Sequence, residues 1–395
     1  MADLQDIQII DPGVDESIAK LTPERIEQTI NRVLTEESAA RLKVYLQTCV
    51  HCGLCAEACQ SYVSRNGDPD YAPVANVKDT LWEMVKRKGR VDGDFLHNAA
   101  RIAFIDCGAC RRCSMYCPFG IDISYLIMTV RRILNLLGVV PQYLQDTTNS
   151  HAVTMNQMWV QQDDWIDTLM WQEEDAQEEL AGTRIPLDKE GADIMYSGDF
   201  ETMGRVERLH WERAMKLKVK RVVMGECGHA YRGAVYDGPR WLGWTKPPIP
   251  MVHAVEFYYE LLKSGRLKIV RKIEEPVTVQ DPCNIVRGRG LHDKLRYVVN
   301  AICDDFRDMD PRYEHNYCCQ AGGGLINCGP PWKVSRMKSN KVKAEQIVGT
   351  GAHTVITPCH NCHSGIEDII GYYKIDAHVS FISELLVKTI ELPEV

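Results

Sequence analysis

The stretch Thr354-Val355-Ile356-Thr357-Pro358-Cys359-His360-Asn361-Cys362 joins a short apolar run to a CxxC pair across a single proline. A four-residue run of β-branched residues closed by proline reads as a buried strand. Val277 to Gln280 repeats the arrangement and runs through Asp281-Pro282 into Cys283. Lys220 to Met224 runs into Cys227 in the same way, and Ala192 to Tyr196 is a fourth candidate strand. From residue 191 onward such runs alternate with helical segments, the pattern of βαβ units and parallel strands. Ligands of open α/β sheets gather beyond the carboxyl ends of the strands. Cys227, Cys283 and Cys359 are therefore expected on one rim.

The adjacent pair Cys318-Cys319 completes a five-cysteine constellation with Cys283, Cys359 and Cys362. Two vicinal cysteines do not easily serve one tetrahedral zinc, because their side chains diverge from the backbone. They can serve different irons of one multi-iron cluster.

Two further runs repeat one spacing: Cys49-x2-Cys52-x2-Cys55-x3-Cys59 and Cys107-x2-Cys110-x2-Cys113-x3-Cys117-Pro118. This is the spacing of bacterial two-cluster ferredoxins, in which the fourth cysteine ligates the other cluster. Three close cysteines in a tight loop hold three corners of a cubane, and the fourth, on the following helix, points across. The resemblance assigns Cys49, Cys52, Cys55 and Cys117 to one [4Fe–4S] cluster, and Cys107, Cys110, Cys113 and Cys59 to the other. Gln60 stands where the first run lacks its proline. A pair of zinc sites would instead show two-plus-two spacing. Arg111 and Arg112 lie inside the second run, either raising that cluster's potential or simply facing solvent. His51 is read as tuning a cluster, not as a ligand.

The bulk numbers agree with metal use. The chain has 395 residues, 45% of them apolar, and 16 cysteines, all in or near motifs except Cys303. Cysteines of this kind belong to metal ligation in a reducing compartment and not to a disulfide framework. Met1 to Asp15 is acidic without the apolar core of a signal peptide. Ile121 to Val140 is interrupted by Asp122, Arg131 and Arg132, short of a clean span. A net charge of −8 without aromatic–basic interleaving argues against nucleic acid. Gly322-Gly323-Gly324 lacks the strand–GxGxxG–helix context, so no flavin or nucleotide is expected.

The expected fold is α+β: a helical two-cluster ferredoxin-like module followed by an α/β domain with parallel strands. Residues 1–48 form a helical segment, with Thr22-Pro23-Glu24 as a helix start and a second helical run from Glu36 to Gln47. Residues 49–140 form the cluster module, with a helical spacer near Lys78 to Lys88 and a packing helix from Ile123 to Leu137. Residues 141–190 are a helical linker, whose part from 161 carries ten acidic residues against Arg184 and Lys189. It is either a solvated helix or a dock for a basic partner. Residues 191–270 and 271–395 complete the chain.

The third set resembles the cysteine-rich CCG domain of heterodisulfide reductase catalytic subunits. The resemblance is carried by Asp281-Pro282-Cys283, Tyr317-Cys318-Cys319-Gln320-Ala321-Gly322-Gly323-Gly324 and Thr357-Pro358-Cys359-His360-Asn361-Cys362. Gln320 replaces the glycine that gives the domain its name, and the glycine run after it leaves room for backbone close to a cluster. The resemblance implies that Cys283, Cys318, Cys319, Cys359 and Cys362 hold a non-cubane [4Fe–4S] cluster that cleaves a disulfide. The order of modules resembles the HdrD type of heterodisulfide reductase. Gly225-Glu226-Cys227-Gly228-His229-Ala230-Tyr231-Arg232 is similar to the DsrK, TmcB and HmcF family of sulfate-reducer transmembrane redox complexes.

One departure matters. The first CCG repeat, in 191–270, is degenerate: only Cys227 remains, and Ala230 falls where a second cysteine belongs. One non-cubane cluster is expected instead of two. The stretch from Tyr196 to Lys220 is short for the opening half of a repeat, which points to a natural deletion or to residues missing near Tyr196-Ser197. Cys227 is either a structural thiol or a contact for substrate sulfur, with His229 as proton donor and thiolate stabiliser. Cys328 lies close enough in sequence to the glycine run to neighbour the cluster. Cys303 reads as a core thiol. His360 and His363 flank ligands without being ligands, and Arg287 and Arg289 either attract an anionic thiolate or partner carboxyl terminus or, the favoured reading, belong to a solvated loop.

The resemblance implies an oxidoreductase acting on a disulfide or trisulfide of a DsrC-like partner. It implies further a membrane cytochrome b-type subunit, a cytochrome c, and a peripheral place on the cytoplasmic side of the inner membrane. The rival expectation is a pure electron-transfer subunit with no substrate of its own.

Overall fold

The computed structural model describes residues 11–35, 39–154, 159–179, 182, 184–185, 194–197 and 204–391. Compactness groups the chain differently from its linear order. One unit comprises Met1–Gln145, Met309–Gly351 and Ser364–Ala377; the other comprises Asp146–Asp308, Ala352–His363 and His378–Val395.

The first unit is helical. Its helix Pro23–Thr35 begins where the Thr-Pro-Glu signal places it, with the Thr22 hydroxyl accepting from Arg25 N at 3.3 Å. The second expected run appears as Ala39–Thr48, its first residues lying outside the described ones. The spacer is helical over Lys78–Trp82 and Glu83–Lys86. The core forms around Ile123–Leu137, a helix capped by the Asp122 carboxylate and ended by Gly138 at φ 77°. Leu126, Ile127, Val130, Ile133 and Leu134 lie on one face of it and are buried. Each such side chain contributes about 1.5–3 kcal/mol by leaving water. Among the described residues no single helix is long and apolar enough to cross a membrane. The pair Ile123–Leu137 and Gln142–Ser150 reaches that length only across a 76° bend.

The second unit holds two three-stranded sheets, all parallel. β1 (Ile194–Ser197), β2 (Arg221–Met224) and β3 (Met251–His253) lie in that order. β4 (Val277–Val279), β5 (Thr354–Ile356) and β6 (His378–Ser380) do the same. Val222, Val223, Val277, Val279, Val355 and Ile356 are buried, as expected of parallel strands covered on both faces. The sheet of residues 194–253 thus has the same parallel strand order as the sheet of residues 277–380, although Cys227 is the one cysteine in 191–270. β3 and β6 were not anticipated, because Met251-Val252-His253 and His378-Val379-Ser380 lack the β-branched run that marks the equally short β4 and β5. The stretch from Tyr196 to Lys220, expected to be the short opening half of a repeat, is described only over 196–197 and from Gly204, with 198–203 outside the described residues.

Candidate metal centre

The twin runs fold into matching loops. In the first, His51 and Gly53 have φ 53° and 83°; in the second, Ala109 and Arg111 have φ 50° and 65°. These are the residues just before and just after the second cysteine of each run. Three of the four are not glycine, and left-handed backbone costs such residues about 1–3 kcal/mol each. Alternation of right- and left-handed residues turns successive N–H groups inward and makes an anion-binding nest, as at many iron–sulfur sites.

The cysteines pair across the runs. Cys49, Cys52, Cys55 and Cys117 line one cavity. Cys59, Cys107, Cys110 and Cys113 line another, together with Arg112 and Gln320. Burial pushes the Cys55 thiol up, and the nearby Cys49, Cys52 and Cys117 push it further. Burial drives Cys59 to about 12, with Cys110 and Cys107 adding to it. Cys113 rises for the same reason, with Cys110, Cys59 and Cys107 as neighbours. Crowded buried thiols of this kind ionise only beside a strong cation, which is what iron supplies. Among the described residues no group of three or more donors closes around a single-ion position. Each quartet rings a cavity instead, and donor set and nests both fit a cluster.

The vicinal pair sits in the first unit. Cys318 and Cys319 are buried, and Gln320 adopts φ 52°, the left-handed turn that the replaced glycine would take without strain. Gln320 is held there by its Nε2 donating to Ser61 Oγ at 3.1 Å. Asn340 Nδ2 donates to Cys319 O at 3.3 Å. A Cβ on Gly365 would come within 2.7 Å of the Ala321 Cβ, so only glycine lets that helix approach.

The second unit carries Cys283, Cys359, Cys362, Cys227 and His229. Cys359 and Cys362 follow β5, and Cys227 follows β2, the middle strand of the other sheet. The Cys359 thiol is held well below its ordinary value by a hydrogen bond from Cys227, then by Cys362 and His229, against the opposing effect of burial. The His229 Nδ1 lies 3.0 Å from Asn361 Nδ2. His360 and His363 face the Phe381 ring, the closer at 4.4 Å, and serve packing. Cys303 is buried just after the helix His292–Ile302, and burial pushes it to about 12. Cys328 is buried in the first unit near Arg131 and is pushed to about 11.

Sequence reasoning missed three residues here. Asp281 is gripped by the Arg296 guanidinium, which also forks onto Asp308 at 2.6 and 3.2 Å, fixing the approach to Cys283. His253, fully buried at the end of β3, accepts Val255 N at Nδ1, which leaves the proton on Nε2. That Nε2 has no acceptor among the described residues, nor has the buried Thr357 Oγ1 beside Cys359. Burial lowers His253 to about 4, and the nearby Cys359 opposes this. Cluster sulfur would supply the missing acceptors.

The third residue, Glu226, accepts from Ile382 N at 3.0 Å and Ser383 N at 2.8 Å, and its carbonyl accepts from His360 N at 2.7 Å. Burial raises its carboxyl from 4.5 to about 7 despite these bonds. Between those values the folded state keeps a proton that the unfolded chain has released. Stability is therefore greatest below the window and falls as pH rises through it, by up to ~3 kcal/mol. Denaturation midpoints at pH 5 and pH 8 should show this decline in the parent and a flatter profile in Glu226→Gln.

Residues 45–121 match the 4Fe-4S dicluster domain family and residues 277–367 match the cysteine-rich domain family. Together with the two quartets, these define an iron–sulfur oxidoreductase subunit that joins a dicluster module to a CCG domain. More narrowly, the chain is similar to the D subunits of heterodisulfide reductases and to Hdr-like iron-sulfur subunits. It is 26% identical to the HdrD chain of the dihydromethanophenazine:CoB–CoM heterodisulfide reductase of Methanosarcina mazei, over 88% of this chain and 94% of the relative. It is 23% identical to the Hdr-like menaquinol oxidoreductase iron-sulfur subunit of Archaeoglobus profundus, over 89% of this chain and 80% of the relative. That alignment runs over 456 positions, more than the 395 residues of this chain. The EtfAB:quinone oxidoreductase of Syntrophomonas wolfei is 21% identical over 82% of this chain and 55% of its own length.

Proposed function

We propose that this chain is the iron–sulfur subunit of a membrane redox complex that reduces, or in reverse forms, a disulfide or trisulfide on a DsrC-like partner. The observation that carries the reading is the gathering of Cys227, Cys362 and His229 about Cys359, which together hold its thiol well below the ordinary value. A decayed repeat that keeps one cysteine, aimed at a ligand cysteine, is a reactive arrangement more than a structural one.

Two cubane clusters would be held by Cys49, Cys52, Cys55 and Cys117 and by Cys59, Cys107, Cys110 and Cys113. Cys283, Cys318, Cys319, Cys359 and Cys362 would hold the non-cubane cluster. When bound, that cluster supplies two sequential one-electron steps that cleave a sulfur–sulfur bond. Cleavage of the bond takes two electrons and two protons and yields two thiols. Cys227 contacts the substrate sulfur, and His229 donates a proton to the departing thiolate. Glu226, three residues before His229 in the chain and raised to about 7 by burial, is the reserve from which the proton is restored. The chain sits peripherally on the cytoplasmic face and exchanges electrons with a membrane cytochrome b-type subunit, which in turn serves menaquinol and a periplasmic cytochrome c. An alignment longer than the chain is in keeping with a shortened first repeat, whether by a natural deletion or by residues missing near Tyr196-Ser197.

Cys227→Ala is expected to lower turnover of a peptide disulfide at least ~100-fold, within the range of a lost proton-transfer or substrate contact. Iron should stay at about 12 atoms per chain. Unchanged turnover would sink the role of Cys227. A relay without its own substrate is the second reading, favoured by the likeness to the EtfAB:quinone oxidoreductase. It requires that the parent protein cleave no disulfide at all, while still passing electrons to a soluble acceptor.

A further inference from the structure

Among the described residues four arginines are buried: Arg112, Arg131, Arg296 and Arg336. Two of them have carboxylate partners. Arg296 pairs with Asp281 and Asp308, and Arg336 with Asp368. The other two differ. Arg131, 7% exposed, donates only to backbone carbonyls: Nε to Ala103 at 2.7 Å, Nη1 to Gly323 at 2.7 Å and Nη2 to Cys107 at 2.9 Å. Arg112, 6% exposed, donates to the carbonyls of His315 at 2.8 Å and Ala58, and lies over the Tyr317 ring at 4.5 Å. Among the described residues neither has an acidic partner. Arg111, next along the chain, is exposed and lies 3.8 Å from Asp122.

A buried charge without a counter-charge is expensive, so an anion is due nearby. The carbonyls that hold the two guanidiniums show where. Ala58 and Cys107 belong to the loops of the second quartet, and His315 and Gly323 flank the Cys318-Cys319 pair. A Cβ on Gly323, at φ 66°, would come within 2.8 Å of Arg131 Nη1, so this glycine is what admits the guanidinium. Gln320 and Asn340 add bonds to Ser61 and Gln60, next to Cys59. By contrast, the cavity of the first quartet is lined only by residues 45–126. There Cys52 is exposed, with Val50, Leu54 and Phe119 exposed beside it.

We propose that Arg112 and Arg131 make Cys59, Cys107, Cys110 and Cys113 the inner cluster site, the one that exchanges electrons with the Cys318-Cys319 segment. Their positive charges raise the reduction potential of the cluster held there, since a fixed cation favours the more negative, reduced state. The first quartet is then the outer station, where electrons arrive or leave. This rests on reading both quartets as cluster sites. Both arginines are positioning residues, and they touch no substrate.

The test is a potentiometric titration of the cluster-loaded full chain, followed by electron paramagnetic resonance, in the parent, R131Q, R112Q and R131K. The signals are assigned with C110S for the inner site and C52S for the outer one. In R131Q and R112Q the inner signal should move to lower potential by at least tenfold in its reduction equilibrium, 59 mV for one electron. The outer signal should stay, and R131K should return the inner one to the parent value. Unchanged potentials, a shift of the outer signal, or an equal shift in R131K and R131Q would overturn the proposal. If both glutamine variants lose iron, retention of iron and potential in R131K upholds the charge requirement, and loss in R131K as well refutes it. A parent protein with no iron at the second quartet would defeat the cluster assignment itself, whereas unchanged potentials defeat only the role of the arginines.

Discussion

Cys359→Ser is expected to abolish disulfide turnover and to lower iron from about 12 to about 8 atoms per chain, the loss of one four-iron cluster. The cubane signals should persist. Cys359 is singled out among the five cysteines by its surroundings. Cys227, Cys362 and His229 all stabilise its thiolate, and the unpartnered His253 Nε2–H is close by. Serine keeps the size but offers iron a poorer donor, and it does not hold the charge that those hydrogen bonds are arranged to receive. Iron analysis and turnover, measured on the same preparation, check both halves of the expectation. A variant with full iron and full turnover would remove Cys359 from the site.

The second large effect falls on stability. Arg296→Ala should destabilise the second unit by ~3–5 kcal/mol, the range for breaking a buried ion pair by deleting one partner. The Asp281 side chain is fully buried, and that of Asp308 is partly buried. One guanidinium serves both carboxylates through two forks, so its loss strands two charges instead of one. Asp281 lies two residues before Cys283, so loss of the third cluster should accompany the destabilisation. Chemical denaturation of the iron-free chain, compared with the parent at the same pH, measures the stability term. Arg296→Lys should recover only part of it, since an ammonium cannot make both forks.

Much of this was legible before any coordinates. The cross-pairing of Cys117 with the first run and Cys59 with the second follows from a repeated spacing, and the two cavities gather those same quartets. The strands that run into Cys227, Cys283 and Cys359 are short but β-branched, which was enough to reveal them. β3 and β6 were hidden for the opposite reason: Met251-Val252-His253 and His378-Val379-Ser380 are too mixed to show a pattern. For Arg112 the sequence left open whether it tunes a cluster or faces solvent, and for Arg131 it offered no role; distance along the chain hid the deciding contacts. Arg112 and Arg131 meet their partners 203 and 192 residues away. Nothing local separates Arg112 from the exposed Arg111, or Arg131 from Arg132. Glu226 likewise becomes unusual only because the chain returns at Ile382 and Ser383 to bury it. Sequence spacing nominates candidate ligands, because such residues recur at fixed intervals. It reports the charges around them poorly, because packing supplies those.

The account turns on whether the CCG cysteines form a site that handles substrate sulfur. The direct measurement is electron paramagnetic resonance of the oxidised, cluster-loaded protein before and after adding a peptide that ends in two cysteines. A new signal that appears with the peptide, in the parent but not in Cys359→Ser, is the predicted result. A parent protein with about 12 iron atoms and an unchanged spectrum would contradict it and leave the chain an electron relay.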